Sequence, residues 1–253
     1  RKLIKDEFGF DTVTFRNTEL IYQDKLSDLI FEIEGFKTII TEGVDRILDW
    51  RSPLYAYKNY SKDINLLLKY YKLSDDIAFR FSNRDWPEYP LTVDKFVNWI
   101  DHLTLEEKKG RNQFLNLFMD YETFGEHQWA ESGIFDFMKH FPAEVLKRAH
   151  LGFATPSQTS ELANYQQESL SFPEAVSWAD EERDLSAWLE NDMQKNAIET
   201  MYELLQKVKN KGDENLLRTA RMLTTSDHFY YMCTKYFQDG DVHKYFSPYD
   251  SPD

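Results

Sequence analysis

Between residues 11 and 119 the chain repeats one arrangement: a short apolar, β-branched or aromatic run, a tight turn, then a helix-spaced stretch. Asp11–Phe15 (DTVTF) reads as a strand, and Asp24–Ile33 then places Leu26, Leu29, Ile30 and Ile33 on one helical face. Gly35 suits the end of that helix. Phe36–Thr41 (FKTIIT) reads as the next strand, Val44–Trp50 as a short helix or turn, and Ile64–Leu68 as a third strand. Ser74 is expected to cap a helix over Asp75–Phe81. Thr92–Leu103 is spaced as an amphipathic helix, and Phe114–Met119 (FLNLFM) reads as the clearest buried strand. Such alternation favours a parallel sheet or barrel, because each return to a parallel neighbour needs a crossover, usually a helix.

The pattern changes further on. Ile134–His140 and Ala143–His150 read as helices parted by Pro142, and Gly152–Ala154 as a last short strand. Leu185–Val208 and Asn215–Phe237 read as long helices. The expected division is therefore a β/α portion over 1–170 and a helical region over 171–253 that packs on it and contributes to the site. The opening RKLIKDEFGF reads as the end of a helix followed by a glycine turn, without an initiator Met, as in a fragment of a longer chain.

Composition narrows the function classes. The 253 residues carry 44 acidic and 30 basic side chains, a formal charge of −14, and 42% are hydrophobic. That hydrophobic share supplies a core. The acidity argues against nucleic acid and against an anionic membrane surface as partners. No run of 18 apolar residues is present to span a bilayer. The single cysteine, Cys233, excludes an internal disulfide framework and a Cys-based zinc site. Low cysteine usage fits a reducing compartment, and the expected location is cytoplasmic.

In parallel α/β barrels the active site lies at the C-terminal strand edge. The residues just past each expected strand are therefore informative. After DTVTF comes Arg16-Asn17-Thr18-Glu19; after FKTIIT comes Glu42-Gly43; after FLNLFM come Asp120-Tyr121-Glu122 and then Thr123–His127. Three strands each deliver a carboxylate at one edge. A paired nucleophile and acid is what glycoside hydrolysis needs. A carboxylate metal site is the competing chemistry, but no DxDxDG loop or HExxH helix is present.

Longer motifs extend this reading. MDYETFGEHQW (Met119–Trp129) resembles the acid/base motif of glycoside hydrolase family 57. SWADEERDLSAWLENDMQ (Ser177–Gln194) resembles the last conserved region of its α-amylase members, and FRNTELIY with GFKTIITEGVDRIL resembles the region that carries the nucleophile. The resemblance implies an irregular or partial (β/α)7 barrel followed by a helical C-terminal region. It also implies retaining, double-displacement chemistry on α-1,4-glucans, with Glu19 as nucleophile and Asp120 as general acid/base. Glu42 is the second nucleophile candidate and is otherwise placed among substrate-binding residues. Those are Glu42, Glu122, Trp129, Trp178, Asp184, Trp188, Asp227 and His228. The implied partner is an α-glucan or maltooligosaccharide. No cofactor and no metal are expected, since two carboxylates suffice. The family's histidine-rich early regions, including an HQP-type motif, are absent, and the chain reads as the latter part of a catalytic domain. Arg16 stands where some glucan-transferring members carry an aromatic.

Three other readings remain open from the residues. A 4-α-glucanotransferase or branching enzyme would use the same carboxylates. A carbohydrate-binding protein without catalysis would only hold sugars with them. A metal-dependent hydrolase or deacetylase would draw on His102, His127 and aspartates.

Overall fold

The computed structural model describes residues 1–106, 111–163, 168–235 and 248–252. The chain divides into two compact units, Arg1–Glu174 and Ala175–Asp253.

The first unit begins with helix α1 (Lys2–Phe8), which ends on Gly9 in the left-handed conformation that a residue without Cβ adopts freely. Strand β1 (Thr14–Arg16) and helix α2 (Asp24–Phe31) come next, then β2 (Thr38–Glu42) and the short α3 (Asp45–Leu48). After them lie β3 (Tyr57–Asn59), β4 (Asn65–Lys69), α4 (Tyr71–Ala78) and α5 (Val93–Glu106). Helices α6 (Ile134–Val145) and α7 (Pro156–Ala163) and the two-residue β5 (Ser169–Leu170) complete it. The sheet order is β1-β2-β4-β3-β5. β1, β2 and β4 run parallel, with Arg16 level with Ile40 and Glu42 level with Lys69. β3 is antiparallel to β4 and parallel to β5. The expected α/β class thus holds, as an open sheet whose edges among the described residues are β1 and β5.

Every residue of β2 and β4 is buried, as befits central parallel strands covered on both faces. Leu73 and Ile77 of α4, Phe81 just beyond it, Phe96 and Ile100 of α5 and Phe137 of α6 pack into one cluster. Phe96 and Phe81 meet Phe137 edge-on at 5.7 and 5.3 Å, a geometry that suits aromatic quadrupoles.

Several local expectations change. Phe114–Met119 is not a full strand. It touches the sheet through one parallel bridge, Asn116 to Lys69, with Tyr70 N–H donating to the Asn116 carbonyl at 2.8 Å. Its Leu115, Leu117 and Met119 pack against the helical cluster. Ser74 does not cap a helix. α4 starts earlier, and the Ser74 hydroxyl donates to the Tyr70 carbonyl while accepting from Phe118 N–H. Pro142 lies inside α6 rather than between two helices. Gly152–Ala154 forms no strand, whereas β3 and β5 were not expected.

The second unit holds α8 (Ser186–Leu189), α9 (Asp192–Lys211), α10 (Glu214–Met222) and α11 (Ser226–Tyr230). The long helix expected over Leu185–Val208 is broken where Asn191 and Gln194 form a reciprocal capping box. The one expected over Asn215–Phe237 breaks between α10 and α11, and its residues 236–237 lie outside the described residues. Among the described residues no helix is long and apolar enough to cross a membrane.

One buried polar hub ties α2 to the sheet. Asn59 donates to Tyr22 Oη at 3.0 Å and to Asp24 Oδ1 at 2.9 Å, and its Oδ1 accepts from the N–H groups of Ser61 and Lys62. Burial pushes the Tyr22 phenol up to about 12, against the lowering effect of its hydrogen bonds to Ser27 and Asn59. Asn59→Leu strands these partners in the interior and should lower unfolding free energy by about 1–3 kcal/mol or more. Urea unfolding monitored by circular dichroism measures the loss; an unchanged midpoint would remove the hub from the stability account.

Candidate active site

Parallel pairing of β1, β2 and β4, with the Asn116 run parallel beyond β4, brings four chain ends to one edge. That edge carries Glu19, Glu42, Lys69 and Asp120. The three acids are legible from their places after apolar runs; Lys69 is not.

Glu19 comes after β1 in a single turn, Thr18–Leu20, and is half-buried. Its backbone is left-handed (φ 54, ψ 19), and so is that of Leu20 (φ 51). Neither residue is glycine, and each such conformation costs about 1–3 kcal/mol. The turn survives because it is held from several sides. Leu20 is fully buried, Thr41 Oγ1 donates to the Leu20 carbonyl at 3.2 Å, and Asn17 Nδ2 donates to the Ile21 carbonyl at 3.2 Å.

Glu42 ends β2 and is completely buried. Its Oε1 accepts from Gly43 N–H at 2.8 Å, and its Oε2 lies 3.6 Å from Lys69 Nζ. Lys69 also lies 3.5 Å from Asp75 of α4, with its side chain only 5% exposed. Glu42, expected among the substrate-binding residues, is thus held in the interior between Gly43 N–H and the Lys69 ammonium. Gly43 is required by proximity, since a Cβ there would sit 2.4 Å from the Lys69 carbonyl oxygen.

Asp120 stands at the entry of the turn Tyr121–Thr123, in extended conformation. Its side chain is reachable by solvent, yet enough protein surrounds it that desolvation raises its carboxyl above the ordinary aspartate range. The Glu122 charge adds to the rise, while Arg16, His127 and Lys69 pull the other way. The loop beyond is pinned: His127 and Glu126 N–H donate to the Glu122 carbonyl, and buried Gln128 donates through Nε2 to the Ala78 carbonyl at 2.9 Å. Trp129 is 66% exposed and Tyr121 is 95% exposed. Both offer open aromatic faces.

Trp178, Asp184, Trp188, Asp227 and His228 all belong to the second unit. Asp184 Oδ1 accepts from Ser186 N–H at 2.7 Å at the start of α8, and Ser177 Oγ donates to the Asp184 carbonyl at 2.6 Å. Trp188 is buried, 5.9 Å from Tyr230, whereas Trp178 is half-buried. Asp227 is exposed on α11, and His228 lines a cavity of about 350 Å³ with Met201, Phe229, Tyr231 and Tyr249. Among the described residues, no group of three or more His, Cys, Asp or Glu is placed to hold a metal ion.

Residues 1–173 match Glycosyl hydrolase family 57. The chain belongs to that family. This family 57 chain is 42% identical over 262 residues to a Methanocaldococcus jannaschii protein named "Putative alpha-amylase", all of the chain matching 54% of that protein. It thus spans about half the length of the curated relative. Its fold is also similar to solved structures at low identity. A family 57 branching enzyme of Thermococcus kodakaraensis gives a TM-score of 0.66 at 16% identity, over 96% of this chain and 57% of that one. A 4-alpha-glucanotransferase of Thermococcus litoralis gives 0.52 at 15% identity, over 96% and 38%.

Asp120's raised carboxyl has a thermodynamic consequence. Ionising it opposes folding, so stability from the neutral form is present below the ordinary aspartate range and is lost as pH rises through the raised value. Asp120→Asn should therefore be more stable than the parent near neutral pH, with the difference vanishing in acid. Paired urea titrations at the two pH values check this, and equal stability at both would contradict the desolvated carboxyl.

Proposed function

We propose that this chain carries the catalytic edge of a retaining enzyme acting on α-1,4-linked glucans. The observation that carries the reading is Asp120: a carboxyl delivered to the edge where the parallel strands stop by the run bridged to the end of β4, with its Glu122 neighbour and the surrounding protein acting to raise it. Family membership and the names of the relatives support the substrate class.

In the first step protonated Asp120 donates to the glycosidic oxygen as a glutamate attacks the anomeric carbon. The C–O bond breaks, and a glycosyl-enzyme forms with inversion. Ionised Asp120 then takes a proton from water, or from a sugar hydroxyl, as that oxygen attacks and releases the glutamate with a second inversion. Hydrolysis and transfer differ only in the acceptor. Tyr121 and Trp129 supply exposed aromatic faces suited to the C–H face of a glucose ring.

Glu19 is the proposed nucleophile. Its strained backbone at the strand end is the kind of conformation found at active sites. Glu42 is the second reading, favoured by its place on β2, one strand nearer than β1 to the run that leads into Asp120. Trp178, Asp184, Trp188, Asp227 and His228, all of the second unit, are proposed as sugar-binding residues.

Two measurements test this. With maltoheptaose, the parent should release products of retained α configuration by proton NMR, and Asp120→Asn should lose about 10²–10⁴-fold in rate. An undiminished Asp120→Asn would end the mechanism. Glu19→Gly and Glu42→Gly should then be compared with an activated aryl maltoside plus azide. Rescue with formation of the inverted glycosyl azide is expected in Glu19→Gly; rescue in Glu42→Gly alone would move the nucleophile to Glu42.

A further inference from the structure

We propose that Trp50 is a further sugar-binding residue of this site, an aromatic platform for the C–H face of one glucose unit of an α-1,4-glucan. The inference rests on the glucan reading of the strand edge.

Topology places the residue. β3 runs antiparallel to β4, with Tyr57 level with Leu66 and Lys58 level with Asn65, so the chain enters β3 at the edge where β4 ends. The entering segment, residues 50–56, therefore stands at the edge that carries Glu42 and Lys69. Two contacts hold it there. A Cβ built on Gly43, next to Glu42, would lie 3.1 Å from Pro53 Cβ. The Leu54 carbonyl accepts from Phe114 N–H at 2.7 Å, at the start of the run that leads into Asp120.

Local packing turns the indole outward. Leu48 and Leu54 are each 1% exposed, whereas Trp50 between them is 72% exposed. Asp49 makes the turn with a positive φ of 55 (ψ −117), a strained backbone for a residue that carries a Cβ. The segment is tied on both sides of the indole: Arg51 N–H donates to the Leu48 carbonyl at 3.0 Å, and Tyr57 Oη donates to the Ser52 carbonyl at 2.7 Å. The Arg51 guanidinium lies 5.1 Å from the Trp50 ring centroid, and its Nε is 3.7 Å from Glu168 Oε2. Glu168 directly precedes β5 and also takes Arg111 at 3.0 Å. Arg51 thus braces the indole while most of it stays open to solvent. A braced ring has little freedom left to lose when a ligand stacks on it, which favours binding. A neutral, hydroxylated ring with an apolar C–H face is the ligand such a surface fits.

The test uses the full chain carrying Asp120→Asn, in which slowed turnover lets maltoheptaose persist. Calorimetric titration gives the maltoheptaose Kd, which Trp50→Ala should raise about tenfold and Trp50→Phe should largely preserve. Acrylamide quenching of tryptophan emission supplies a second readout. The part of the emission that Trp50→Phe removes should be shielded by maltoheptaose. A merely structural Trp50 would lower the urea midpoint in Trp50→Ala and show no shielding. Should Trp50→Ala not fold, the shielding measured against Trp50→Phe decides. An unchanged Kd in folded Trp50→Ala, or Trp50 emission quenched equally with and without the sugar, overturns the proposal and leaves the glucan reading standing. Absence of any maltoheptaose binding in Asp120→Asn removes the glucan reading, and Trp50 with it.

Discussion

A lysine enclosed at the end of a central strand dictates much of what surrounds it. Apolar burial drives β2 and β4 together but is non-directional, so it does not choose how their ends present. The Glu42–Lys69–Asp75 cluster does, because charges taken from water need partners at defined places. It joins β2, β4 and α4 at the edge where the parallel strands stop. Gly43 permits the close backbone approach this requires, and the Asn116 bridge extends the joint to the run entering Asp120.

The parts of the fold written in local sequence were readable. β1, β2 and β4 are short β-branched or leucine-rich runs, α2 and α5 obey helical spacing, and Gly9 ends α1, whereas α2 stops with Glu32 as its C-cap, short of the Gly35 expected to end it. What escaped depends on distant partners. β3 and β5 are three and two residues long, and exist because neighbours supply their hydrogen bonds. FLNLFM has the composition of a central strand, yet it pairs through only one bridge and spends its apolar side chains on the helical cluster. Ser74 resembles a cap in sequence; in place, its hydroxyl serves the turn behind it and the chain crossing above it.

The site divides the same way. Carboxylates directly after apolar runs announce themselves, so Glu19, Glu42 and Asp120 were found at the strand ends. Lys69 was not, since a lysine closing a leucine run reads as an ordinary solvated end. Its meaning comes from Glu42 on one neighbour and Asp75 on another, which no spacing rule connects. Asp184 and Trp188 were named from a motif, and in place one organises the start of α8 while the other fills its core.

The turn after β1 carries an evolutionary consequence. Position 20 must satisfy two demands that no standard side chain meets together. The left-handed backbone favours glycine or asparagine, while the enclosed space asks for a large hydrocarbon. Leucine meets the second demand at the expense of the first. Drift at this position is consequently boxed in from both directions, and the neighbouring glutamate shares the constraint placed on its turn.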